Sequence, residues 1–254
     1  YRMWQNSQWG VPYYSDGSYG LSVDSYSPLI NLYERGFSRT KGTYLLGIFK
    51  GSYKLFDPLT FSAQYSTQHN IEDRTMFNNR YDFSDKLYPE RRTFNAINRM
   101  NEYRNKSKED MLDLQLTYNN RFGGHGLNGI LGYSAIHYMD NWADGYRQNF
   151  YNNLLQALSM GANDATQSAT GGNAEWGLRS YFARVNYDFD SKYLLEANAR
   201  YDGSSRFADG YRYGFFPSFS MGWRVSAEPF WDPLSAVVNE FKIRGSWGEV
   251  GSQQ

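Results

Sequence analysis

The stretch YLLEANARYDGSSRF runs from Tyr193 to Phe207, and its alternation decides the fold. Every second residue from Tyr193 gives Tyr193, Leu195, Ala197, Ala199 and Tyr201; the residues between them are Leu194, Glu196, Asn198, Arg200 and Asp202. Successive side chains of a β-strand point to opposite faces. This strand therefore carries one apolar face with an aromatic at each end, and one mostly polar face. From Tyr193 to Tyr201 an extended chain rises roughly 27 Å, at ~3.4 Å per residue.

The same alternation recurs along the chain. Eight segments read as strands: 44–56, 59–70, 110–122, 126–138, 179–189, 192–202, 213–226 and 240–250. In 179–189, Tyr181, Ala183, Val185, Tyr187 and Phe189 oppose Arg184, Asn186 and Asp188. In 213–226, Phe215, Phe219, Met221, Trp223 and Val225 oppose Ser218, Ser220, Arg224 and Ser226. The links also sort by length. FDPL (Phe56–Leu59), FGGHG (Phe122–Gly126) and FDSK (Phe189–Lys192) are tight turns rich in Asp, Gly and Pro, whereas 71–109, 139–178 and 203–212 are longer connections. The link 227–239 is predicted to hold a short helix over DPLSAVVNE, with Asp232 as its N-cap before Pro233.

An outer-membrane β-barrel has these properties together: short periplasmic turns, long external loops, and an apolar band ~25 Å tall flanked by aromatic girdles. Tilted by ~40°, the Tyr193–Tyr201 segment spans about 21 Å along the membrane normal, which sets the two tyrosines at the two girdles. Leu195, Ala197 and Ala199 are then expected to face lipid. Glu196, Asn198 and Arg200, with Arg184 and Arg224, are expected to face the lumen, and an arginine at position 198 to be tolerated. The pattern alone leaves a soluble all-β sheet with one wet face open.

Composition fits the barrel. Aromatics make up 19% of the 254 residues, with 23 Tyr and 24 Gly. Mean hydropathy is −0.71, a value that lumen and loop residues depress in barrels. Formal net charge is zero, so nothing favours nucleic acid as a partner, and the absence of cysteine excludes disulfides and thiolate metal sites. No apolar run approaches the ~18 residues of a transmembrane helix. Residues 1–254 are expected to be part of one barrel domain, with 1–43 an external loop region and 44–250 the strands and their loops. They are expected to form a contiguous slice of a larger barrel, with open edges near Tyr44 and Gly248.

Residues 192–254, with YDGSSRF, GFFPSFSMGWR and SWGEVG, resemble the barrel of SusC/RagA-type TonB-dependent outer-membrane transporters of Bacteroidetes. LTYNNRFGGHGLNGILGY (Leu116–Tyr133) and YLLGIFKGSYKLFDPLTFSAQYS (Tyr44–Ser66) look like earlier strand pairs of the same barrel. The resemblance implies an antiparallel transmembrane barrel of about 22 strands with a plugged lumen. It further implies import of a large nutrient (glycan or peptide) driven through TonB, with a SusD-like surface lipoprotein as lid. The plug and the TonB box are not in this sequence. A non-transporting structural or adhesive barrel and a soluble carbohydrate-binding module remain the alternatives.

Catalytic and metal chemistry have little support in the residues. His69, His125 and His137 fall on separate segments, and the acidic residues form no acid–base couple. DGSYG and ADGYR lack the ligand series of a calcium loop. No enzyme activity, cofactor or metal is expected. The candidate substrate contacts are aromatics of the external segments, Trp4, Trp9, Tyr13, Tyr14, Trp142, Tyr146 and Trp176, joined by Tyr19. Aromatic faces stack on sugars and their polar tips suit peptides; the same residues serve equally well to pack loops together. YDGSSRF is expected to be a structured loop, with Arg206 pairing Asp202 across it.

Overall fold

A computed structural model describes residues 12–21 and 27–251. Among them is a short helix, α1 (Pro28–Tyr33), followed by ten strands: β1 (Gly36–Phe56), β2 (Leu59–Asn78), β3 (Tyr81–Ser84), β4 (Arg92–Asn95), β5 (Arg99–Phe122), β6 (His125–Gln148), β7 (Ser168–Phe189), β8 (Tyr193–Ser204), β9 (Tyr213–Trp223) and β10 (Ile243–Gly248). Eight of them form one sheet in the order β1-β2-β5-β6-β7-β8-β9-β10, a meander in chain order, while β3 and β4 pair as a separate hairpin. All eight predicted strands are present. The sheet is open among the described residues, ending at β1 and β10.

Five strands are longer than the alternation predicts. β1, β2, β5, β6 and β7 run for 20 to 24 residues, about twice the 9–11 that cross a bilayer. Much of the segments expected as loops, 71–109 and 139–178, is thus strand. The reason is physical: backbone pairing holds a ladder whatever its side chains, and apolar alternation marks only the part with one face away from water. The tight turns are as expected. Asp190 and Ser191, with φ of 48° and 54°, give the left-handed pair of a type I′ hairpin turn, closed by Lys192 N–H on the Phe189 carbonyl at 2.9 Å. The predicted helix at 227–239 is absent. Two 3-10 turns, Val225–Ala227 and Pro229–Leu234, take its place, and Asp232 lies inside the second instead of capping it. The segment 1–43 is not all loop, since α1 and the start of β1 fall in it.

The chain divides into two compact units. One comprises 1–43, 70–106 and 141–173. Its core is Phe77, Met100 and Phe150, fully buried, with Phe37 and Leu158 packed on them. Phe77 meets Phe150 edge-on at 5.1 Å. Burial of each such side chain contributes roughly 1.5–3 kcal/mol. Asn98, buried beside them, accepts from Phe150 N–H at 2.7 Å and donates to the Phe150 carbonyl at 3.1 Å, satisfying a backbone that no ladder reaches.

The second unit comprises 44–69, 107–140 and 174–254 and carries the two-faced sheet. Antiparallel register aligns Val185, Ala197, Phe219 and Trp247 in one row, Tyr187, Leu195 and Met221 in the next, and Phe189, Tyr193 and Trp223 in the row beyond. Tyr181, Tyr201 and Phe215 close the far end. Directly opposed residues share a face, so these rows are one continuous apolar surface with an aromatic band at each end. It stays exposed: Leu195, Phe219 and Met221 are 52%, 55% and 66% accessible. The polar tips of the first band are held at the Asp190–Ser191 end. Tyr193 OH and Trp223 Nε1 donate to Glu228 at 2.7 and 3.2 Å, and Lys192 Nζ lies 3.3 Å from it. These hydrogen bonds and the lysine hold the Glu228 carboxyl below the usual carboxylate range.

Candidate functional site

The opposite face of β7, β8 and β9 carries a connected polar network. Arg184 Nε donates to Asn198 Oδ1 at 2.7 Å; Asn198 Nδ2 donates to Glu196 Oε1 at 2.7 Å and to Ser218 Oγ at 3.2 Å. Arg200 pairs with Asp202 at 3.2 Å, donates to Ser180 Oγ at 3.3 Å and lies 5.7 Å from the Phe182 ring centre. Phe182 in turn packs where a side chain on Gly132 of β6 would stand, so this face approaches closely only because position 132 lacks a Cβ. Toward the tight turns the face hollows into a basin of about 910 Å³, whose wall includes Asn128, Asn186, Glu196, Arg224, Lys242 and Arg244. Arg121 and Asp188 form an ion pair at its rim, 2.9 Å apart.

The structure adds detail to two expectations here and corrects a third. Arg224 lines the basin of this face from just beyond the end of β9, where it donates to the Ser191 carbonyl at 3.3 Å and ties the chain to the hairpin turn. Asn198 is the hub of the polar network, so an arginine at 198 would replace its bonds and stand beside both Arg184 and Glu196. Arg206 does not pair with Asp202, which Arg200 already holds; its guanidinium sits over the Trp176 ring at 4.4 Å.

The candidate aromatics are dispersed. Trp4 and Trp9 lie outside the described residues. Tyr13 stacks on Tyr19 at 5.3 Å, and Tyr19 OH donates to Glu34 at 2.8 Å; burial and that hydrogen bond push the Tyr19 phenol up to about 12. Tyr14 OH donates to both oxygens of Asp85, at 2.9 and 2.8 Å. Trp142 and Tyr146 stand on β6 and Trp176 on β7, not on loops. Trp142 stacks on Tyr103 at 6.4 Å, Tyr146 OH donates to Gln148 at 2.9 Å, and Trp176 stacks on Tyr138 at 5.2 Å. None of these aromatics lines the basin on the polar face.

Asp85 is a polar centre that the sequence reading missed. Buried, it accepts from Tyr14 OH and from the backbone N–H groups of Leu21, Leu87 and Tyr88. Burial alone raises its pKa, but these donors outweigh it and hold the carboxyl below the usual range. The signal available was an Asp opening the turn DKLYP, where its side chain can take the N–H groups two and three residues on.

The three histidines stay apart, with His125 Nδ1 2.7 Å from Tyr187 OH and His137 Nε2 2.7 Å from Glu175 Oε1. Among the described residues no group of three His, Cys, Asp or Glu stands together as metal ligands. Asp16 of DGSYG is bonded to Ser18 and Lys86, and Asp209 of ADGYR to Arg212. What the face offers is a wall of hydrogen-bonding groups, backed by an apolar surface with two aromatic bands.

That combination defines the wall of an outer-membrane β-barrel. The chain belongs to the TonB-dependent receptor β-barrel family: residues 2–252 match the family described as "TonB dependent receptor-like, beta-barrel". It is of the SusC/RagA type, and its place is the bacterial outer membrane. A TonB-dependent receptor of Formosa agariphila is 28% identical over 221 residues, covering 87% of this chain and 20% of the relative. The TonB-dependent receptor SusC of Bacteroides thetaiotaomicron is 42% identical over 76 residues, 30% of this chain and 8% of SusC. The solved RagAB peptide transporter superposes with a TM-score of 0.69 at 19% identity, over 83% of this chain and 23% of that one. The chain thus spans about a fifth or less of the length of these relatives.

Proposed function

We propose that the protein imports a large nutrient, an oligosaccharide or a peptide, through a barrel of which these eight strands form one part of the wall. Transport is driven through TonB, with a SusD-like surface lipoprotein as lid. The observation that carries the reading is the pairing of faces: a girdled apolar surface suited to lipid, and behind it a polar network and basin suited to a hydrated path. The likeness to SusC supports the family's kind of transport, and the fold shared with the RagAB peptide transporter keeps peptides beside glycans as candidate cargo. No nucleophile–base pair or metal cluster among the described residues argues for chemistry on that cargo.

In this reading the segments 71–109 and 139–178 lie outside the cell, and β1 and β10 pair with strands from the rest of the protein. Tyr13, Tyr14, Trp142, Tyr146 and Trp176, with Trp4 and Trp9, are the candidates for contact with cargo or with the lid, although the Tyr14 hydroxyl is already engaged by Asp85. The test is uptake of labelled glycan and peptide pools by cells with and without the full-length gene, with and without a protonophore. Uptake that needs both the gene and the protonmotive force supports the proposal. Identical uptake in the deletion strain across both pools, with the protein otherwise in the outer membrane, would leave a non-transporting barrel.

A further inference from the structure

On the apolar face, the row beyond Tyr181, Tyr201 and Phe215 is Arg179, Gly203 and Tyr213. It lies two residues past the aromatic band, on the side away from the Asp190–Ser191 turn, where the hydrocarbon ends and headgroups begin. The Tyr213 ring covers Gly203 and stacks on Tyr201 at 5.0 Å. Beside this row a groove of about 500 Å³ crosses the outward face, with Leu112, Tyr133, Ala135 and Tyr213 along it and Arg179 and Arg212 at its edge.

The charges around the groove are matched except one. Asp110 is held by Lys108 at 2.7 Å and by Tyr65 and Thr67. His137 faces Glu175, and Arg212 pairs with Asp209 at 2.8 Å while donating to the Phe207 carbonyl at 3.2 Å. Arg179 is exposed, and its side chain has no ion-pair or hydrogen-bond partner among the described residues. An unpaired guanidinium on the lipid-facing side is costly unless it reaches an anion at the interface. Its planar fork fits a phosphate with two parallel hydrogen bonds.

The geometry points to a lipid site here: Arg179 binds the phosphate of an outer-leaflet lipid headgroup, and the groove holds the upper part of one of its acyl chains. Arg212 adds field from the groove's edge without giving up Asp209. The Tyr133 and Tyr213 rings contact the chain and present their hydroxyls toward the headgroup layer.

The full-length receptor tests this in phosphatidylcholine nanodiscs doped with phosphatidic acid or, in parallel, with diacylglycerol of the same chains. Lipid retained on the protein is read by native mass spectrometry. The wild type should retain phosphatidic acid about fivefold over diacylglycerol, the factor expected for one arginine at a lipid surface. Arg179→Gln should remove that preference. Arg184→Gln, which deletes the same charge from the opposite face of the same strand, should keep it. Inorganic phosphate alone should not displace the lipid. Equal preference in Arg179→Gln and wild type would overturn the proposal, as would displacement by inorganic phosphate, which would make this a plain anion site.

Discussion

Arginine at Ala197 tests the lipid face at its most demanding point. Ala197 lies midway between Tyr193 and Tyr201, in the row Val185, Ala197, Phe219 and Trp247. With about 21 Å between the two girdles along the membrane normal, that row lies near the midplane. A charge placed there on the lipid face of a barrel costs about 2–4 kcal/mol, roughly a 30- to 700-fold loss in the folding equilibrium. The matched substitution is Ser220→Arg. Ser220 is on the polar face, directly opposite Glu196 in the register, so the new arginine meets water and a carboxylate and changes stability by at most ~1 kcal/mol. Both variants, made in the full-length receptor, are to be folded into phosphatidylcholine bilayers across a urea series, with the heat-modifiable band as readout. Ala197→Arg should lose most of its folded band where Ser220→Arg retains it. Equal midpoints, or a larger loss for Ser220→Arg, would refute the assignment of faces.

Three further outcomes are expected. Gly132→Ala should cost roughly 1–3 kcal/mol by forcing Phe182 out of its place, seen as a lower urea midpoint; the same change at Gly17, which has nothing within 4 Å but a φ of 82°, costs only its local backbone strain. Asp85→Ala should loosen the segment 12–21, since it leaves Tyr14 OH and the N–H groups of Leu21, Leu87 and Tyr88 without their acceptor; hydrogen exchange there should rise by the equivalent of roughly 2–4 kcal/mol. Because the folded pKa of Asp85 is lowered, its contribution is complete above the unfolded value of about 3.9 and is lost as pH falls through the lower folded value; protection factors at 12–21, taken against the intrinsic exchange rate at each pH, should therefore be flat from neutral pH down to that range and fall below it, and Asp85→Asn should abolish the fall. Epitope tags in the 149–167 connection should be reached on intact cells, while tags at Asp190–Ser191 should not; labelling at Asp190–Ser191 from outside would invert the topology.

The sheet was legible wherever one face meets an apolar environment. From Tyr193 to Tyr201 and from Tyr181 to Phe189 the alternation marked the two faces, and the Asp-Ser link between them marked the tight turn; the register came from the ladder itself. It failed where strands continue with both faces wet. Residues 71–78 and 99–109 carry Glu72, Asp73, Arg74, Glu102, Arg104 and Lys108, and nothing in that composition distinguishes a paired strand from a loop. The 3-10 turns at 225–234 were misread because Asp-Pro is an ordinary helix opening, whereas the turns here follow the chain pinned by Arg224 at Ser191 and by Glu228 under Tyr193 and Trp223. Long-range polar partners were beyond reach for the same reason. Arg206 is near Asp202 in sequence, yet the ladder continuing past Ser204 sets it opposite Trp176. Asp85 finds Tyr14 across 71 positions of chain.

The central claim is that one face of this sheet lies in lipid and the other in water, with a period of two residues. The 254 residues contain no cysteine; with any cysteine elsewhere in the receptor replaced by serine, single cysteines at 195 through 200 can each carry a spin label. Collision with oxygen, which concentrates in the bilayer, and with a water-soluble nickel chelate measures the environment of each label. The account predicts high oxygen accessibility at 195, 197 and 199 and high chelate accessibility at 196, 198 and 200, with the oxygen maximum at 197. Accessibility that varies smoothly along the six positions, or alternates with the opposite phase, would contradict it.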